Sequence, residues 1–281
     1  AAADRVAMAL PRANFSDPLL QERNRLRTTY FKKNLVQPLT LAGLIASLAL
    51  AFLSPYVVPL GWVVVIIAAL AFADRRAKEE WWVLLLRHLG LQPVLTTETA
   101  PVTPLLRSGD EREVLRAATD GRRELLIFRS TDVTRDKNGN KQRSHNDFTV
   151  VVSRTPAPTV RFLSAHEHRF SRLKFLGDEL RGKTLRGVEE FKVESVELGN
   201  RFSLRTSGED ATRARQLFKP SFIVWFARSG VPFEFEDGNL VVFVDRVLEH
   251  AEEFKIFLAR AAEIEAALTG QPSPSAAPRV S

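Results

Sequence analysis

The chain has 281 residues, a formal net charge of +7 and no cysteine. The absence of cysteine excludes a disulfide framework, a thiol nucleophile and any zinc or iron–sulfur site with cysteine ligands. The net charge is modest and a good part of it flanks two apolar segments, so no nucleic-acid partner is expected from charge alone. The length beyond those segments is enough for one domain with a substantial core.

Two uncharged apolar runs lie in the N-terminal third of the chain. They cover residues 35–53 and 56–73, and only Ser54 and Pro55 separate them. At about 1.5 Å of rise per residue, each run spans roughly 27 Å as a helix, close to the thickness of the hydrocarbon core of a bilayer. The pattern predicts a two-helix transmembrane hairpin over 35–73.

The residues around this hairpin predict its orientation. Basic side chains precede and follow it, and its turn carries none, so both ends and the rest of the chain are expected in the cytoplasm, with 1–34 as a basic cytoplasmic segment. Small side chains in the first span, at Gly43, Ala46 and Ser47, permit close helix–helix contact. Aromatic and basic residues expected to anchor the spans in membrane lipid are Tyr30, Lys32, Lys33, Tyr56, Trp62, Arg75, Arg76, Trp81 and Trp82.

The remaining segments are predicted from composition. Residues 74–91 continue as an amphipathic helix at the membrane surface, and 92–109, rich in proline and threonine, form an extended linker. Residues 110–269 are predicted to form the cytoplasmic domain. Proline, serine and alanine dominate 270–281, which predicts a disordered tail.

Three β-hairpins are predicted within the domain. The third is the clearest, because Asp237-Gly238-Asn239 is a strong turn signal between two apolar runs. Helical patterns lie between and after the hairpins, so an antiparallel, hairpin-rich α+β domain with a C-terminal amphipathic helix is expected. The predicted strand pairs are 123–131 with 147–154, 191–198 with 201–206, and 231–236 with 240–245; the other predicted elements are helical turns at 111–118, a strand at 159–164, and helices at 211–218, 221–229 and 247–268.

One loop matches the phosphate-loop pattern letter for letter. Gly177 and Gly182 would let backbone N–H groups surround phosphates, Lys183 would neutralise their charge, and Thr184 would hold a metal with Asp245. The helix that must follow such a loop has no room here, because a strand pattern begins near residue 191. Nucleotide binding is therefore kept as an alternative, and no cofactor is assigned.

Other candidate sites have simpler explanations. His166 and His168 share one strand face but lack a third metal ligand by sequence, so no metal is assigned. The basic and aromatic residues from Arg161 to Arg172 permit binding to RNA or anionic lipid, but the pattern is more typical of a charged connecting segment. Glu234 and Glu236 alternate along a strand and are interpreted as its solvent-facing side.

The chain also resembles a family of uncharacterised bacterial two-span membrane proteins with a cytoplasmic α+β domain. The residues that carry the resemblance are Glu194, Asn200, Phe202, Glu209-Asp210 and Leu217-Phe-Lys-Pro220. The resemblance implies a membrane-tethered domain in the bacterial plasma membrane, and it implies no active site.

The sequence as a whole favours a non-catalytic accessory or adaptor protein. We expect it to be a subunit of a membrane protein complex, bound to one or more membrane protein partners or to itself. A membrane-bound nucleotide hydrolase and a peripheral binder of anionic lipid or RNA are the alternatives. No nucleic acid and no specific small molecule is expected as a partner.

Overall fold

A computed structural model describes residues 18–35, 57–95, 102–137, 139–155, 160–168 and 187–270. The chain divides into two compact units. The first, Arg12–Gly90, is the helical unit, and the second, Leu91–Ser281 together with Ala1–Pro11, is the sheet unit.

The described part of the helical unit contains two helices, α1 (Pro18–Leu35) and α2 (Val57–Leu89), which pack against each other. An ion pair and a cation–π contact join them: Arg27 Nε lies 3.8 Å from Asp74 Oδ1, and the Arg23 guanidinium lies 5.9 Å from the centroid of the Trp81 ring. The Tyr30 hydroxyl also donates to the Glu80 carboxylate. A buried seam runs down α2 at four-residue steps, which is the spacing of one helix side. Its members are Ala69, Ala73, Ala77, Trp81 and Leu85.

The prediction of a transmembrane hairpin is wrong. Among the helices that the structure describes, none combines the length and the hydropathy that a membrane span requires. The second apolar run is the first half of α2, and the helix continues without a break through charged residues from Asp74 to Glu80. The first apolar run lies outside the described residues after Leu35, as do Gly43, Ala46, Ser47 and Tyr56.

The two-span plasma-membrane localisation is wrong for the same reason. Trp81 and Trp82, predicted as membrane anchors, are buried in the protein, and the side chain of Trp62 is not among those described. Lys32, Lys33, Arg75 and Arg76 are exposed on α1 and α2. The interfacial helix predicted at 74–91 is the second half of α2.

The sheet unit is an antiparallel α+β domain. Its strands form one sheet in the order β1-β2-β3-β4-β9-β8-β5-β7-β6, and every neighbouring pair is antiparallel. The strands are β1 (Gln92–Val94), β2 (Glu111–Thr119), β3 (Arg123–Arg135), β4 (Lys141–Arg154), β5 (Phe162–Glu167), β6 (Val188–Phe191), β7 (Phe202–Ser207), β8 (Phe233–Glu236) and β9 (Asn239–Val244). The α-helices among the described residues of this unit are α3 (Pro104–Arg107), α4 (Val196–Arg201), α5 (Ala211–Leu217), α6 (Pro220–Ser229) and α7 (Ala251–Thr269).

The first and third predicted hairpins are confirmed as β3–β4 and β8–β9. The helical turns predicted at 111–118 are wrong, because this segment is β2 and pairs with β3. The second hairpin turn is also wrong: residues 199 and 200 lie inside α4, and β7 pairs with β6 instead. The segment predicted as a linker contains β1 and α3, and 271–281 lie outside the described residues.

Both faces of the sheet are covered, and the two coverings differ. On one face, Leu105 and Leu106 of α3 pack into an apolar cluster with Phe128, Phe148 and Phe243. We call this the α3 face. On the other face, Phe226 of α6 contacts rings that project from β7 and β8. The short helix α3 therefore lies directly over the central strands, and its position defines the site described next.

Candidate functional site

The α3 face changes from apolar to polar where β9 is followed by β8 and β5. Val241 of β9 lies opposite Glu234 of β8, which lies opposite Ser164 of β5. His166 follows two residues after Ser164 and so projects from the same face. A serine, a histidine and a carboxylate thus meet beneath α3, and all three are buried: Ser164 and Glu234 have no exposed surface, and His166 is 7% exposed.

The Glu234 carboxylate joins this cluster to α3. Its Oε2 accepts a hydrogen bond of 2.8 Å from the backbone N–H of Leu105, in the first turn of α3. Its Oε1 lies 3.0 Å from His166 Nε2, an ion-pair distance when the imidazole is protonated. Because helix N-termini leave several N–H groups without intrahelical partners, a buried carboxylate at this position stabilises the helix.

A second carboxylate of β8 holds the other end of α3. Arg107 Nη2 donates to Glu236 Oε2 at 2.7 Å. Burial raises the pKa of Glu236 above its ordinary value, and the hydrogen bond and charge of Arg107 only partly offset this effect. Two glutamates of one strand, Glu234 and Glu236, thereby fix a four-residue helix on the sheet.

Serine, histidine and carboxylate are also the residue types of a nucleophilic triad. In such a site the base accepts a hydrogen bond from the nucleophile, and a substrate reaches both. Here Ser164 Oγ, His166 Nε2 and Glu234 Oε1 are buried and none of them makes a hydrogen bond of good geometry. Within the part of the chain that the structure describes, the arrangement supports packing of α3 against the sheet, and all three side chains are buried.

A cavity of about 530 Å³ lies at the end of β8, where Glu236 is one of its lining residues. Glu236 also binds Arg107 and so connects the cavity to α3. Glu189, Glu209 and Asp237 line it too, with Arg161 as the basic residue. This acidic lining is unfavourable for polyanions near Arg161, and no group that could hold a metal ion is found among the described residues.

Asp210 supports the wall of this cavity. It is 4% exposed, and its Oδ2 accepts hydrogen bonds from the Arg161 N–H at 2.7 Å and from Ser207 Oγ at 2.6 Å. Burial by itself raises the pKa of Asp210, but these hydrogen bonds and the charges of Arg213 and Arg161 together hold it below its ordinary value.

Replacing Asp210 with asparagine should therefore produce a pH-dependent loss of stability. A folded-state pKa below the unfolded value of about 3.9 adds stability above that value, and this stability is lost as the pH falls through the folded-state pKa. We expect Asp210→Asn to lower the free energy of unfolding by about 1–2 kcal/mol at pH 7 and by less at pH 3. Urea unfolding at pH 7 and pH 3 measures the free energy of unfolding of each variant, and the exposed Glu209→Gln is the control. An equal loss of free energy at the two pH values would contradict the prediction.

The structure describes only some of the other predicted site residues. The loop with Gly177, Gly182, Lys183 and Thr184 lies outside the described residues. Asp245 follows β9, whose neighbours β4 and β8 are both antiparallel to it, whereas phosphate-loop folds use parallel strands. His168 Nε2 lies 2.8 Å from the carbonyl oxygen of Gly199, and Glu167 pairs with Arg201 at 3.1 Å.

Glu234 was predicted to face solvent, and this prediction is wrong because both faces of β8 are covered. A signal in the sequence exists: residues 240–244 are apolar at every position, which is typical of a strand buried on both sides. Its hairpin partner β8 lies between β9 and β5 in the sheet, so both faces of β8 are covered as well. Glu234 then has to be a buried carboxylate with partners.

A different surface feature lies in the helical unit. The first half of α2 exposes large aliphatic side chains at i, i+3, i+4 and i+7, the spacing of one helix face. We call this set the α2 apolar face. Its members and their exposed fractions are Val63, 52%; Ile66, 39%; Ile67, 60%; and Leu70, 37%.

Comparisons with known proteins give one similar structure. No model of a protein family matches the chain, and no curated protein matches it. The crystal structure of the mycobacterial trehalose monomycolate transport factor A, TtfA, aligns with a TM-score of 0.40 and 11% identity, over 67% of this chain and 93% of that chain. At these values the similarity carries no inference about this chain, and the family resemblance described above stays a prediction.

Proposed function

We propose that the protein is a non-catalytic accessory protein that binds an apolar helix of a partner protein through the α2 apolar face. The observation that carries this proposal is the exposure of four aliphatic side chains on one helix side. Clustered apolar surface of this kind is costly in water and is typical of an interaction site.

The geometry favours a helix as the partner element. Side chains at i, i+3, i+4 and i+7 form a ridge that fits the groove of another helix. The ridge between Val63 and Leu70 contains no charged residue, so its partner must be apolar as well. Further along α2, small and aromatic side chains on a neighbouring side are already buried, at Ala77 and Trp81. In the first half of α2, the four aliphatic side chains of the α2 apolar face are exposed.

The sheet unit supports a non-catalytic role. Its buried and partly buried carboxylates are engaged with the backbone or with arginine side chains, as at Glu234 and Glu236. Glu265 of α7 is paired in the same way with Arg122 and Arg123, at 2.7 and 3.0 Å. These contacts connect helices to the sheet and give the carboxylates a structural role.

Replacing Ile67 with glutamate should weaken the partner complex at least tenfold. The substitution places a charge without a counter-ion in an apolar helix contact. A tenfold loss of affinity corresponds to about 1.4 kcal/mol. This is less than the usual cost of burying such a charge. The measurement is affinity purification of the tagged full chain from its native host, with the partner quantified by mass spectrometry.

Val83→Glu is the matched control. Val83 is 40% exposed on the same helix, and the change introduces the same side chain outside the α2 apolar face. A stoichiometric partner that Ile67→Glu loses and Val83→Glu retains supports the proposal. Equal recovery with both variants, or recovery of only a second copy of this chain, would overturn it.

A further inference from the structure

A groove lies between α6 and α7 in the sheet unit. Its volume is about 310 Å³. Phe222 and Trp225 of α6 form one wall, Ala266 and Ala267 of α7 contribute small side chains, and Gly270 closes one end. We call it the C-terminal groove.

The two aromatic side chains that form one wall of this groove pack against each other and against neighbouring phenylalanines. The rings of Phe222 and Trp225 are stacked, with centroids 5.7 Å apart and an interplanar angle of 23°. Phe222 also packs against Phe218 and Phe226, at centroid distances of 5.5 and 5.4 Å. Trp225 is only half-buried, so its ring offers a fixed, partly exposed surface.

A preformed aromatic groove of this kind suits an extended, proline-rich segment. Such segments adopt the polyproline II conformation at little entropic cost, and their rings pack on aromatic side chains. The small alanines opposite leave space for the proline rings, and Ser221 and Lys219 at the rim supply donors for backbone carbonyl groups.

The chain itself carries such a segment next to the groove. Residues 271–281, which the structure does not describe, read Gln-Pro-Ser-Pro-Ser-Ala-Ala-Pro-Arg-Val-Ser. They follow Gly270, which lines the groove and whose φ of 69° ends α7 with a change of chain direction. At about 3.1 Å per residue the segment reaches roughly 34 Å, more than enough to cross the groove, and its attachment gives an effective concentration in the millimolar range.

We propose that the C-terminal groove binds the chain's own residues 271–281. Because the contact is intramolecular, residues 271–281 would compete with any proline-rich segment of another protein for the groove. This inference concerns a site separate from the α2 apolar face, and neither proposal depends on the other.

The test is fluorine NMR of the protein labelled with 5-fluorotryptophan, with the Trp225 resonance assigned through Trp225→Phe. The full chain is compared with a variant that ends at Gly270, which keeps every residue of α7. We expect removal of 271–281 to shift the Trp225 resonance, and the synthetic peptide of the sequence 271–281 to restore it. A peptide with alanine at the three proline positions should bind at least tenfold more weakly.

Substitutions in the full chain test the same contact without truncation. Alanine at Pro272, Pro274 and Pro278 together should reproduce the shift, and the control Ser273→Ala with Ser275→Ala should not. An unchanged Trp225 resonance after truncation would overturn the proposal, as would equal binding of both peptides. A resonance that changes with protein concentration would place the segment on a second copy and overturn the intramolecular contact.

Discussion

Replacing Phe226 with alanine is expected to lower the free energy of unfolding of the sheet unit by about 4 kcal/mol. Phe226 has no exposed surface and lies at the centre of an aromatic cluster. Its ring centroid is 4.6 Å from that of Phe202 and 5.6 Å from that of Phe233, so it connects α6 to β7 and β8. Removing the ring leaves a cavity that the surrounding fixed rings cannot fill.

Urea unfolding followed by far-UV circular dichroism measures this loss. Val224→Ala is the control on the same helix, because Val224 is 54% exposed and should change the free energy of unfolding by no more than about 0.5 kcal/mol. A loss below about 1.5 kcal/mol for Phe226→Ala would show that α6 does not depend on this cluster. The fixed aromatic wall of the C-terminal groove would then lose its physical basis.

Local signals in the sequence were sufficient for the third hairpin. Asp237 and Gly238 have φ values of 45° and 83°, the left-handed conformations that a tight turn between twisted strands requires. Aspartate and glycine tolerate this conformation, so the sequence signal and the backbone agree. The α+β character of the sheet unit follows from several such local patterns.

Other elements depend on contacts that are distant in sequence. The segment 111–118 has residues compatible with a helix, but it becomes β2 because β3 offers it a pairing edge. The predicted turn at Gly199-Asn200 lies within α4, which begins after Ser195 and is capped by a hydrogen bond from the Leu198 N–H to Ser195 Oγ. The sequence therefore carries two competing signals here, the Ser195 cap of a helix and the Gly199-Asn200 pair typical of a hairpin turn.

The membrane prediction is based on apolar length and on flanking basic residues, and no described helix has the length and hydropathy that a membrane span requires. The run that begins α2 passes directly into a charged segment of the same helix, and seam residues such as Ala73 and Ala77 are buried. The described part of α2 therefore has one buried side as well as the exposed side chains of the α2 apolar face.

The buried cluster under α3 could not be predicted from the sequence alone. Ser164, His166 and Glu234 are separated by up to 70 positions, and their meeting depends on the order β9-β8-β5 within the sheet. An antiparallel sheet built from hairpins leaves that order open, because it depends on how separate hairpins associate. The sequence indicates only that β8 is buried, because its hairpin partner β9 is almost entirely apolar.

Replacing Glu234 with alanine is expected to lower the free energy of unfolding by about 3 kcal/mol. The substitution removes the acceptor of the Leu105 N–H and the negative charge 3.0 Å from His166, and it leaves both groups buried. Glu234→Gln retains an oxygen for the Leu105 N–H and should cost only about 1–1.5 kcal/mol. Glu190→Ala, at an exposed site on β6, is the control and should have no effect beyond about 0.5 kcal/mol.

Hydrogen exchange distinguishes a specific role of Glu234 from a general loss of stability. If Glu234 fixes α3 on the sheet, the amide of Leu105 should lose more protection in Glu234→Ala than the amides of Val241 and Val242 in the central strand β9. Equal loss at all three amides would mean that α3 is held by the packing of Leu105 and Leu106 alone. Greater loss at Leu105 would show that a carboxylate from the middle of the sheet holds this helix in place.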